Sequence, residues 1–147
     1  GDPDAAGRGR RDVAMTRICL DTSGYSRFMR GDADVVELVS QAGTVLVPTV
    51  VLGELRAGFA LGTQRARNQR ELAAFLAHPA VRVLDVDDEA ATIFAELFTD
   101  QRFAGVPVPT NDLWIAALAI REGAVVVTYD AHFQAIARVR CRVLGNP

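Results

Sequence analysis

The chain has no lysine; all 16 of its basic residues are arginine. That absence excludes Schiff-base catalysis, the phosphate-loop lysine and the lysine of phosphoacceptor receiver domains. Arginine still suits phosphate contacts, because its planar fork matches phosphate oxygens. Cysteine is scarce as well. Cys19 and Cys141 each lie in an apolar run, so they are expected as small buried side chains, not as a disulfide or metal site, and a reducing, cytoplasmic setting follows. No Ser-His-Asp arrangement or metal-binding histidine pair is present. No apolar run approaches the roughly 18–20 residues of a membrane-spanning helix. Residues 1–14 lack the apolar stretch of a secretion signal. They are expected to be a flexible tail or cloning remnant, with Met15 as the natural start and one domain over 15–147. With 18 acidic residues against 16 basic ones, the totals suggest no bulk electrostatic grip on nucleic acid.

Half of the 147 residues are hydrophobic, enough for a single core without staples. Short apolar runs at 17–20, 44–47, 81–84, 124–128 and 141–144 read as strands, the last as an edge strand. Between them lie helical patterns at 25–30, 32–41, 50–61, 64–77, 88–103 and from Thr110 or Asn111 to Glu122, with a short helix after Asp130. Strands alternating with helices predict a three-layer α/β/α sandwich around a mostly parallel, about five-stranded sheet. The β-branched run before Thr128 has the composition of a strand covered on both faces.

Four carboxylates stand out against this pattern. Asp21 follows the first strand, where it also reads as an ordinary helix N-cap, on position alone the better reading. Glu54 shares a helical face with Val50, Ala57 and Leu61, which makes its charge costly unless paired with an arginine or bound to a cation. Asp112 opens a helix, where the dipole favours it, yet it lines up with Ala116 and Ala119 on the face expected to pack inward. Asp130 follows the penultimate strand. In α/β sheets ligands collect beyond the carboxyl ends of the strands. If the first and fourth strands are neighbours, Asp21 and Asp130 flank one crevice, and Glu54 and Asp112 enter it from helices. Four such groups repel one another unless a cation is present. An oxygen-rich set suits Mg²⁺ or Mn²⁺, and such a site suits phosphodiester hydrolysis. Asp85, Asp87 and Asp88 read only as a cap and first-turn charges; His132, in a loop, is a candidate proton carrier but reads better as a surface residue or one that supports the site from behind.

The segments LDTS (20–23), VVLGELRAG (50–58), TNDLWIAALA (110–119) and TYDAHF (128–133) resemble, in order and spacing, the four motifs of PIN-domain ribonucleases, specifically VapC-type toxins of toxin–antitoxin pairs. The resemblance runs from about residue 16 to the C-terminus. It implies an endoribonuclease that uses Mg²⁺ or Mn²⁺ and inhibits translation, with Asp21, Glu54, Asp112 and Asp130 as catalytic and metal-binding residues. It assigns Thr22, Asn111 and Thr128 to hold the carboxylates by hydrogen bonds. His132 occupies a position that is often acidic in relatives and receives no role. Also implied are an RNA substrate, a cognate VapB-type antitoxin, a homodimer, and contact with DNA only through the antitoxin. Apolar residues of the paired helices from Val50 to Leu76 are a candidate groove for that partner. Two rivals differ in kind. A haloacid-dehalogenase-like phosphatase would need a second acid where Ser23 stands and a lysine the chain lacks. A PIN-like module that binds RNA or protein without cutting would share every motif.

Overall fold

The computed structural model describes residues 17–145. The expected tail and Met15 lie outside the described residues. Five strands form one all-parallel sheet: β1 (Arg17–Leu20), β2 (Thr44–Pro48), β3 (Val81–Leu84), β4 (Val125–Thr128) and β5 (Cys141–Val143), in the order β3-β2-β1-β4-β5. Six helices surround it: α1 (Thr22–Met29), α2 (Ala33–Gln41), α3 (Thr49–Leu61), α4 (Arg65–Leu76), α5 (Asp88–Ala104) and α6 (Thr110–Glu122), with a 3₁₀ turn at Ala131–Ala135. The three-layer expectation therefore holds, and the sheet is wholly parallel.

The order decides where a site can form. From β1 the chain winds outward through β2 and β3, then crosses back to lay β4 on the other side of β1. Leu20 pairs with Val127, so the carboxyl ends of β1 and β4 finish level. That reversal is a topological switch point, where diverging loops leave a crevice. Right-handed crossovers assign α1–α4 to one face and α5–α6 to the other. Strands covered on both faces must be apolar throughout, and Cys19, Leu20, Leu46, Val47 and Val126 are each fully buried. Cys19 is buried as expected, while Cys141, on the edge strand, is only half-buried and free.

Two local expectations differ from the structure. Neither Thr110 nor Asn111 caps α6; the cap is Pro109, which offers no side-chain hydrogen bond. Its fixed φ suits the residue entering a helix, so rigid geometry replaces a capping oxygen. Glu54 lies on a less apolar face than its spacing suggests, since Ala57 is exposed and Leu61 is 90% exposed. By contrast, Asp87 caps α5 through Ala90 N–H as expected, and Arg121 clamps it at 2.8 Å. No described helix is long and apolar enough to cross a membrane.

Candidate active site

Asp21 sits at the carboxyl end of β1 and is 5% exposed. It is the N-cap of α1, since Oδ1 accepts from the Gly24 N–H at 2.7 Å. The same oxygen accepts from Ser23 Oγ at 2.9 Å, and Oδ2 accepts from Thr128 Oγ1 at 2.5 Å. Both hydroxyls are used twice. Ser23 Oγ accepts the Tyr129 N–H, and Thr128 Oγ1 accepts the Asp130 N–H, each at 2.9 Å. A carboxylate on β1 thus fixes, through two hydroxyls, the backbone that leaves β4 and carries Asp130.

Asp112 points inward from the first turn of α6, above the fully buried Ala116 and Ala119, with its side chain 16% exposed. Asp130 caps the 3₁₀ turn by accepting the His132 N–H at 2.9 Å. Glu54 reaches the same place from α3, where its Oε1 accepts from Thr22 Oγ1 at 3.0 Å. Glu54, Asp112, Asp130 and His132 line one open cleft of about 470 Å³, with Pro109, Thr110 and Asn111 on its rim. Asp21 lies beneath it, near enough to push the Asp112 pKa upward.

The electrostatics are those of crowded acids. Among the described residues, arginine pairs with Asp32, Glu71, Asp87, Glu96 and Glu122, and with none of the four carboxylates. Burial raises the Asp112 pKa from 3.8 to about 6, and repulsion from Asp130 and Asp21 adds to it, while His132 opposes the rise. Asp21 is also raised: burial outweighs its hydrogen bonds from Thr128, Gly24 and Ser23, and Asp130 adds repulsion.

One ligand atom each from Asp112, Asp130 and His132 lies within 4.8 Å of the others, a spacing a metal ion could bridge. Glu54 lines the same cleft. Of the three residues expected to support the carboxylates, Thr22 bonds Glu54 and Thr128 bonds Asp21. Asn111 is exposed on the rim and makes no side-chain hydrogen bond among the described residues. Two residues were given no role from the sequence. Ser23 had a legible signal, a hydroxyl two positions after a capping aspartate, a common turn pattern. His132 stands at a position often acidic in relatives, which marks it as near the site, but nothing local says that its ring faces Asp112, 20 residues earlier.

Comparison with known proteins agrees with this arrangement. The chain matches the PIN domain over residues 18–139. It is 40% identical over 93 residues to ribonuclease VapC5 of Mycobacterium tuberculosis, covering 63% of this chain and 68% of that protein. Plasmid stability protein StbB of Pseudomonas syringae is 33% identical over 124 residues, covering 77% and 87%. The fold is similar to a chain of the crystal structure of VapBC-5, a member of the VapBC family of toxin–antitoxin systems from Mycobacterium tuberculosis. The TM-score is 0.71 at 30% identity, over 88% of this chain and 99% of that one. With the match covering most of the domain, and with carboxylates gathered at the switch point of an all-parallel sheet, the chain belongs to the PIN-domain family, among its VapC-type proteins.

Proposed function

We propose that the protein is a divalent-metal-dependent endoribonuclease and the toxin of a VapBC-type pair, arresting translation by cutting RNA in the cytoplasm. The observation that carries this reading is the set of acids at one cleft that no arginine among the described residues neutralises. Asp112, held up near 6 by its surroundings, is a group whose charge a cation would relieve. The donor set is oxygen-rich and open on one side, which fits Mg²⁺ or Mn²⁺. Relatives named ribonucleases support the activity.

In this reading all four carboxylates hold the ion, Asp21 and Asp112 foremost, with Glu54 and Asp130 completing its surroundings. When bound, the ion supplies charge neutralisation at the scissile phosphate and a more acidic attacking water. The protein's own part is placement. Asp21, through Ser23 and Thr128, sets the main chain from which Asp130 projects. Thr22 steadies Glu54 at the cleft wall, where its free oxygen can orient the incoming water. Asn111, on the rim, is placed to meet the RNA backbone or a carboxylate once substrate is present.

Structures of VapBC complexes support a VapB-type antitoxin as partner; a homodimeric toxin that meets DNA only through the antitoxin completes the proposal. The paired helices α3 and α4 remain the proposed seat for it; Phe75 of α4 also lines an apolar groove of about 550 Å³ with Phe28, Met29 and Val39.

The test is cleavage of structured RNA by purified protein with Mn²⁺ or Mg²⁺. Asp21→Asn and Asp112→Asn should each abolish cutting while circular dichroism stays unchanged. Undiminished cutting by both variants would trace the activity to a contaminating nuclease and end the proposal. Growth arrest on expression, relieved by the product of the adjacent small gene, separates a toxin from a housekeeping nuclease.

A further inference from the structure

We infer that His132 is a direct ligand, through Nδ1, of the divalent ion held by Asp112 and Asp130, and that it tilts the site toward Mn²⁺ over Mg²⁺. The inference rests on the metal-dependent reading above and deepens it, since that reading requires only carboxylates.

The geometry comes first. His132 Nδ1 lies 3.0 Å from Asp130 Oδ1 and 3.4 Å from Asp112 Oδ2. Neighbouring ligand atoms about 2.1 Å from an octahedral ion are about 3.0 Å apart. Both observed separations are close to that edge, and all three ligand atoms lie within 4.8 Å of one another, so the nitrogen is within reach of an ion held by the two carboxylates. Without an ion, a protonated imidazole donates to these carboxylates at the same separations, so one geometry serves the proton and the metal in turn, and the experiment below distinguishes them.

The ring is also restrained. His132 donates its own main-chain N–H to Asp130 Oδ1 at 2.9 Å, so backbone and ring of one residue converge on the same carboxylate. The next residue, Phe133, is fully buried and anchors the 3₁₀ turn in the core. Rotation about the side-chain bonds is the movement left to His132, and its 55% exposure leaves the other face of the ring open to solvent.

Chemistry then sets the preference. Mg²⁺ is a hard ion that favours oxygen and gives up water reluctantly. Imidazole nitrogen is a softer donor that first-row transition ions accept more readily. Replacing one oxygen ligand by this nitrogen therefore costs Mg²⁺ more than Mn²⁺.

The experiment uses the full chain titrated with MnCl₂ and MgCl₂, followed by calorimetry and by pulsed electron paramagnetic resonance of bound Mn²⁺. Wild type should show nitrogen-14 modulation from a coordinated imidazole. His132→Asp, which places a carboxylate at this exposed position, should still bind Mn²⁺ but lose the modulation. Its preference for Mn²⁺ over Mg²⁺ should fall by about tenfold, the loss common even for groups one step removed from an ion. Bound Mn²⁺ without the modulation, or modulation that persists in His132→Asp, overturns the inference while leaving the nuclease reading standing. Failure to bind Mn²⁺, or binding that survives Asp112→Asn, overturns the metal-dependent reading itself.

Discussion

Asp21 is the most enclosed of the carboxylates, and three donors around it do not fully offset the loss of water. Thr128 carries the greatest share of that compensation and does so with an atom that also receives the Asp130 N–H. Removing the hydroxyl should therefore be felt in two places. Thr128→Val keeps the shape but leaves Oδ2 and the Asp130 N–H without their partner, which should cost about 1–3 kcal/mol in urea denaturation. Cleavage should fall as well, because the Asp130 turn loses its tether. Thr128→Ser retains the hydroxyl and should restore most of both. If Val and Ser behave alike in stability and in cleavage, the hydrogen bond is not what positions the turn.

The helices and strands were legible because each carries its own periodic signal. The run Val125–Thr128 lies wholly buried, as its β-branched composition implied, and Asp87 caps the helix it was expected to cap. Asp21 shows how a bland reading and a candidate site position can coincide, for it is an N-cap and also sits below the cleft. What could not be read is what depends on strand order. No periodicity says that β4 returns beside β1, and that neighbourhood alone brings Asp21, Asp130 and the His132 ring toward Asp112. Element contacts also give two glycines opposite meanings. In α1, a Cβ on Gly24 would lie 2.5 Å from the Val127 carbonyl oxygen, backbone that cannot swing aside. In α3, a Cβ on Gly53 would meet nothing within 4 Å. Alanine is the better helix former by about 1 kcal/mol, so Gly53→Ala should stabilise by roughly that amount. Gly24→Ala should instead destabilise by about 1–3 kcal/mol through overpacking and lower cleavage, since it prises α1 and its Asp21 cap from β4. Thermal and urea unfolding of the two variants test the sign; stabilisation of both would mean that α1 does not press on β4 as described.

At the scale of the molecule, acids from four separated segments are held at the edge of a core whose stability must absorb their repulsion. Asp112 measures that burden. Its pKa is about 6 in the fold against 3.8 ordinarily, so between these values the folded protein binds more protons than the unfolded chain. Stability of the metal-free protein should accordingly fall as pH rises from 4 to 6 and stay reduced above 6. Asp112→Asn removes the ionisation. With a chelator at pH 8 it should be more stable than wild type by about 1–2 kcal/mol, after allowance for the partial exposure of the group, and the advantage should vanish at pH 4. On the proposed metal-dependent reading a divalent ion should reverse the ranking, because it would bind the assembled carboxylates and not the unfolded chain. At a hundredfold excess over Kd it should add about 2.7 kcal/mol to wild type and little to Asp112→Asn. Melting curves at pH 4 and pH 8, with chelator or with Mn²⁺, contain the whole comparison. A variant less stable than wild type at pH 8 without metal would mean that Asp112 is held by favourable contacts, not pressed against its neighbours by the fold.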